Sequence, residues 1–369
     1  MAKIINKNGK EFPHLMAKEI YDQAEVLKGI IKTYLDRSKH KTRLEAFDKK
    51  IKKIKNADQV IIIACGTSYH AGLIGENLIS SLAGLTPKVI WAHEFRAGNL
   101  VDNKTLVIAI SQSGETTDTV DAAKLAKKQG GLLLALVNKP DSRLARLSDI
   151  TLPLMAGEEK AVTATKTFIA QLALLSILAV YLGRAHGLKR AAARRLVKDI
   201  ERLPEKVEKI LRLNINIQIL ANKYYKMGHL FALGRKYQYP VALEAALKFK
   251  EATYTHAEGL AAGEVKHGPL AAFDKNSPVL FFAPMDSGYQ ANKQLIKELK
   301  QLNKKLIIVT TQGNRQLLAY AQAAIYIPKT HELLSPLLSI IPVQLLAYHI
   351  AVLKGINPDK PRNLTKYVV

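Results

Sequence analysis

Glu244, Lys248 and Glu251 fall at i, i+4 and i+7 in PVALEAALKFKEAT (240–253), so one face of a helix carries a lysine between two carboxylates. Beyond them come His256, Glu258, Glu264, Lys266 and His267, set among alanines and the glycines Gly263 and Gly268. Taken alone, the first triplet also suits an exposed ion-pair ladder. With the second group following, the segment leaves little room for a solvated charge face and suits a site built from titratable groups. A carboxylate, a histidine and a lysine are the parts an aldose–ketose interconversion needs. A base moves the proton shared between C1 and C2. A second group opens the sugar ring, and a lysine can form a Schiff base with the ketone.

A different chemistry is written into the first half. ACGTSYHAG (64–72) and SQSGETTDT (111–119) each follow a short apolar run and lead into a helical pattern. In both, a glycine permits a tight turn and hydroxyls follow where a helix begins, a place that favours an anion. Ser, Thr and Gln donors bind phosphate without a metal or a matching charge. Helix capping would account for one such hydroxyl but not for the cluster. Neither stretch contains GK[ST], so a sugar phosphate is expected rather than a nucleotide.

The elements that must position these residues alternate along the chain. Strands are expected at 60–64, 89–91, 105–110, 132–137 and 150–154, and again at 230–233, 279–283, 306–310 and 324–327. Helices near 68–82, 116–128 and 164–182, then near 240–254, 289–302 and 337–353, separate or follow them. The fold class is α/β, a mostly parallel, doubly wound sheet flanked by helices, occurring twice in tandem. The expected division is a helical segment at 1–57, a first subdomain at 58–187, a charged helical connector at 188–227 broken by Pro204, a second subdomain at 228–355 and a tail at 356–369. Ligands in such sheets bind where strands end and helices begin.

Composition bounds the rest. The 369 residues are 48% apolar and include a single cysteine, Cys65, which excludes a disulfide framework and suits a reducing cytoplasm. The longest apolar stretch, 168–182, is short for a bilayer span and interrupted by Gln171 and Ser176, so no membrane association is expected. A net charge of +24 reads as solvated helix faces and would steer an anionic substrate; no nucleic-acid-binding motif accompanies it, and no nucleic-acid partner is expected.

ACGTSYHAG, SQSGETTDT and AGEEKAVTATKTF (156–168) resemble the sugar isomerase (SIS) domain. FPHLMAKEIYDQ (12–23), HAEGLAAGEVKHGPLA (256–271) and PRNLTKYVV (361–369) extend the likeness to the isomerase half of the glucosamine-6-phosphate synthases, over nearly the whole chain. The resemblance implies that Thr67, Ser68, Ser111, Gln112, Ser113 and Thr116, with Val162 and Ala164, hold the sugar phosphate. It implies Glu251 as the base, Lys248 as its assistant, His267 as the ring-opening group acting on a neighbouring subunit, and Lys366 as the Schiff-base lysine. It further implies fructose 6-phosphate and glucosamine 6-phosphate as ligands, a homodimer, and no cofactor or metal.

Two positions depart from that pattern. Ala164 stands where the synthases usually have serine, and Thr365 where they usually have alanine beside the lysine. No glutaminase segment with an N-terminal cysteine nucleophile is seen in the chain, so ammonia is expected to come free or from a separate glutaminase. LALVNKPDSRLARLSDI (134–150) and EEKAVTATK (158–166) also resemble the SIS-type glucosamine-6-phosphate deaminases, which run the related reaction the other way. A phosphosugar isomerase that handles no nitrogen and a phosphosugar-sensing regulator are the remaining alternatives; no helix-turn-helix for a regulator is seen.

Overall fold

The computed structural model describes residues 4–6, 9–96, 101–274 and 277–366, and in it the apolar runs become two five-stranded, all-parallel sheets. The first contains β1 (Gln59–Ala64), β2 (Lys88–Trp91), β3 (Thr105–Ser111), β4 (Leu132–Val137) and β5 (Ile150–Pro153), in the order β2-β1-β3-β4-β5. The second contains β6 (His229–Gly234), β7 (His256–Ala261), β8 (Val279–Phe282), β9 (Leu306–Thr311) and β10 (Ala323–Ile327), in the order β7-β6-β8-β9-β10. Both therefore have the same topology, with the direction of winding reversing between the first and third strands. β3 and β4 are buried along their whole length, which is why TLVIAIS and LLLALV read as unbroken apolar runs rather than alternating ones.

The chain groups into two units. One holds the first sheet and comprises Gln23–Glu159, Lys166–Pro204 and the tail from Thr365; the other holds the second sheet and comprises the residues up to Asp22, Lys160–Thr165 and Glu205–Leu364. The segments 1–57 and 356–369 thus each divide between the units, and Tyr367–Val369 of the tail lie outside the described residues. The helix Leu15–Tyr21 has no cap from its own flank; instead both oxygens of Asp359 accept its first N–H groups, from Leu15 at 2.9 Å and Met16 at 2.8 Å. In the connector, Pro204 sits in the first turn of the helix Leu203–Leu211, where its missing N–H costs nothing, so the break falls just ahead of it.

The helix Lys166–Ala185 is 20 residues long, apolar enough to cross a membrane, and so exceeds the stretch expected from sequence. Its most apolar window is 83% buried inside the protein, and that of Glu332–Leu353 is 89% buried, so protein packing covers the surface a bilayer would need.

β7 was not expected as a strand. HAEGLA combines alanine and glycine, poor strand formers, and tertiary packing decides its conformation. Gly259 is what lets this edge strand lie against the helix Tyr239–Thr253: an added Cβ would come within 2.6 Å of Leu243 Cα and 2.7 Å of the Ala242 carbonyl oxygen. Because both obstacles are backbone, Gly259→Ala should destabilise the protein by about 1–3 kcal/mol in urea unfolding. Gly263→Ala, whose Cβ would meet only Arg235 at 3.4 Å, is the matched control. Equal stability of the two variants would remove the packing explanation.

Candidate active site

The first sheet's junctions come together because β1 and β3 are hydrogen-bonded neighbours, with Ala64 paired to Ile110. β1 runs through Cys65 into the helix Gly66–Ala83, and β3 runs through 112–116 into the helix Thr117–Lys128. Neither helix is capped by a side chain at its start, so two helix N-termini face the topological switch point with their dipoles unspent on a cap. The capping explanation for Thr116 does not hold: its Oγ1 lies 3.1 Å from Ser111 Oγ instead. Ser111 Oγ also accepts the Gly114 N–H at 3.0 Å, and Ser113 Oγ accepts the Glu115 N–H at 3.1 Å. These hydroxyls shape the loop they belong to. Gly114 has φ +65°, and an added Cβ would lie 2.0 Å from Ser142 Oγ, so glycine is required there on two counts.

Ser68 is buried and accepts a hydrogen bond from Gln171 Nε2 at 2.8 Å, a partner on the helix Lys166–Ala185 that the sequence pattern did not single out. Thr67 and Gln112 are half-buried beside it, and the Gln112 carbonyl accepts Asn138 N–H at 3.0 Å. Glu115 is half-buried and clamped by Arg143, whose backbone N–H leads the interactions holding the carboxyl below its usual range.

The same unit holds Lys366. Its Nζ lies 2.8 Å from Glu159 Oε2, with Lys366 13% exposed and Glu159 fully buried. Glu159 is fixed in turn by the start of the helix Lys166–Ala185: its Oε1 accepts Thr167 N–H at 3.1 Å and its Oε2 accepts Thr167 Oγ1–H at 2.7 Å. Glu159 lies within AGEEKAVTATKTF, a residue to which the sequence pattern gave no role. The signal was available, because a carboxylate just ahead of a helical run favours the positive end of the helix.

In the other unit, Glu244, Lys248 and Glu251 do share a face of the helix Tyr239–Thr253, but that face is not an exposed ladder. Lys248 Nζ is 3.3 Å from Glu244 Oε1 and 2.7 Å from Glu251 Oε2; Glu244 and Lys248 are fully buried and Glu251 is 19% exposed. Burial pulls the Lys248 pKa down, yet the two carboxylates outweigh it and hold the ammonium above its usual range. Lys248 is therefore a fixed cation, and it also donates to the Ala164 carbonyl at 3.3 Å. Val162, half-buried nearby in the chain, donates its N–H to the Asp359 carbonyl at 3.1 Å.

The second group of titratable residues is not a buried cluster. His256 and Glu258 alternate outward along the edge strand β7, and Glu264, Lys266 and His267 are exposed in the turn that follows, with Lys266 paired to Glu298. The alanines that suggested an interior instead supply the inward positions of an edge strand. His267 makes no side-chain hydrogen bond among the described residues. In the tail, Arg362 N–H donates to Tyr254 Oη at 2.7 Å, and its guanidinium lies 4.3 Å from the centre of that ring.

At the second sheet's switch point, the turn after β8 carries its own carboxylates. Ahead of the helix Tyr289–Gln301, Asp286 Oδ1 accepts the Gly288 N–H at 2.8 Å and Glu332 Oε2 accepts the Ser287 N–H at 2.9 Å. Burial, reinforced by the neighbouring Glu332 charge, raises the Asp286 pKa.

Two tandem parallel sheets of one topology, with helix ends at the first switch point that no side chain caps, define a class, and the comparison with known families agrees. The chain belongs to the SIS domain family, which matches residues 53–181 and 223–354. Within it, the chain corresponds to the isomerase half of the isomerising glutamine–fructose-6-phosphate aminotransferases and is an enzyme. It is 39% identical to the one from Chlorobaculum tepidum and 42% identical to that of Thermococcus kodakarensis, with 99% and 97% of this chain aligned. The chain spans 59% and 58% of the length of those relatives. The solved C-terminal domain of glucosamine-fructose-6-phosphate aminotransferase from Francisella tularensis superposes with a TM-score of 0.90 at 32% identity, covering 97% of this chain and 100% of that domain. A glucosamine-6-phosphate deaminase from Thermotoga maritima superposes with a TM-score of 0.72 at 26% identity, covering 96% of this chain and 99% of its own.

Proposed function

We propose that the chain converts fructose 6-phosphate and ammonia to glucosamine 6-phosphate by ketose–aldose isomerisation through a Schiff base. The observation that carries this reading is the Lys366–Glu159 pair. Isomerisation of a sugar phosphate needs only a base, whereas a lysine held on a buried carboxylate adds the amine an imine requires. The phosphate sits at the helix ends that follow β1 and β3, contacted by Thr67, Ser68, Gln112 and Thr116, with Ser111 and Ser113 setting the loop and Val162 and Ala164 completing the sugar contacts. His267 opens the ring, acting on a second copy of the chain in a homodimer. Lys366 condenses with the C2 ketone, and Glu251, oriented by Lys248, carries the proton between C1 and C2. Ammonia arrives free or from a glutaminase activity, and the protein works in the cytoplasm with neither cofactor nor metal in the reaction.

Incubation with fructose 6-phosphate, with and without ammonium, tests the reading by product mass and NMR. Glucosamine 6-phosphate appearing only with ammonium is the expected result; glucose 6-phosphate alone would replace it with a nitrogen-free isomerase. The likeness to a deaminase favours one second reading, the same chemistry run towards fructose 6-phosphate, and the ratio of forward to reverse rates separates the two. Borohydride added during turnover should trap a covalent sugar adduct in the wild type and none in Lys366→Ala. An adduct that persists in the variant would move the Schiff base to another lysine.

A further inference from the structure

The strand order β2-β1-β3 brings three successive turns side by side, and each delivers one side chain able to bind a metal. Cys65 follows β1, His93 lies in the turn after β2, and Asp118 stands in the first turn of the helix after β3. Ligand atoms of the three all lie within 4.8 Å of one another. We propose that Cys65, His93 and Asp118 form a binding site for a single borderline-soft divalent cation, best matched by Zn2+.

The surroundings of the sulfur support the assignment. Thr119 Oγ1 donates towards the half-buried Cys65 Sγ at 4.0 Å. Glu94 Oε1 lies 4.0 Å from His93 Nε2, within reach of the carboxylate–imidazole contact that orients a ligating histidine.

Thiolate, imidazole and carboxylate together select zinc over the hard cations calcium and magnesium. Tetrahedral bonds of roughly 2.0–2.3 Å would draw the ligand atoms somewhat closer together, a movement open to the exposed side chains of His93 and Asp118. Binding breaks the Cys65 S–H bond, releases that proton to solvent and gives the sulfur electron pair to the metal, with no change of oxidation state. A fourth position is left for water or an anionic oxygen. The ligands adjoin the candidate phosphate loops in sequence, Cys65 preceding Gly66 and Asp118 following Thr117. Cation binding at this site does not depend on the proposed reaction.

Titration of the chelator-stripped protein with Co2+ tests the proposal. One equivalent per chain should give a thiolate-to-cobalt charge-transfer band with tetrahedral visible bands, and Zn2+ should abolish both. Cys65→Ser should lose the charge-transfer band, and His93→Ala and Asp118→Asn should each weaken affinity by at least about tenfold. No band in the wild type would overturn the proposal. So would unchanged affinity in both His93→Ala and Asp118→Asn, which would leave a lone thiol. These two substitutions change exposed side chains, so the test survives even if Cys65→Ser misfolds.

Discussion

Glu251→Gln will lower kcat by roughly 10²–10⁴-fold and leave KM for fructose 6-phosphate nearly unchanged. The expectation follows from which member of the triplet a substrate can reach. Glu244 and Lys248 are fully buried, whereas Glu251 is 19% exposed with Oε2 held 2.7 Å from the Lys248 ammonium. One carboxylate is thus fixed from behind and open in front, the disposition of a base. Glutamine keeps the volume and an oxygen for Lys248 but cannot take a proton. Steady-state kinetics with ammonium, together with equilibrium binding of the sugar phosphate, separate the two effects. Turnover within a factor of about ten of wild type would exclude Glu251 as the base.

Lys248→Met will destabilise the fold by about 3–5 kcal/mol at neutral pH, because it removes the buried ammonium 3.3 Å from the fully buried Glu244 carboxylate. The loss has a pH signature of definite sign. A buried carboxylate that loses this ammonium has its folded-state pKa raised by burial above the unfolded one, so the folded variant binds the extra proton and gains stability as pH falls. Urea unfolding at neutral and mildly acidic pH should therefore show the gap to wild type narrowing on the acid side. Glu244→Gln combined with Lys248→Met should recover most of the lost stability at neutral pH. A deficit that is independent of pH and persists in the double variant would point to packing around the lysine stem instead.

What could be read from sequence was what is local. Unbroken apolar runs such as LLLALV announced buried parallel strands, and the i, i+4, i+7 spacing correctly put Glu244, Lys248 and Glu251 on one face. Whether that face was wet or dry could not be read, since its burial comes from neighbours distant in the chain. β7 was missed for the same reason: nothing in HAEGLA favours a strand until Gly259 meets the backbone of the adjacent helix. The exposed His256, Glu258, Glu264, Lys266 and His267 looked interior because composition reports which residues are present, not which side of an edge strand they occupy. Partners far apart in sequence stayed hidden, among them Lys366 with Glu159 and Asp359 at the start of the helix Leu15–Tyr21.

Duplicated folds ordinarily inherit two equivalent receptors, and with them the prospect of occupancy at one altering affinity at the other. Here the second copy sets the carboxylates of Asp286 and Glu332 on the N–H groups of Gly288 and Ser287, where its twin sets the neutral hydroxyls of Ser111 and Ser113 on those of Gly114 and Glu115. A phosphate approaching there meets two carboxylates in place of neutral hydroxyls. Each chain is therefore expected to take a single guest, and saturation should follow a simple hyperbola unless separate chains communicate.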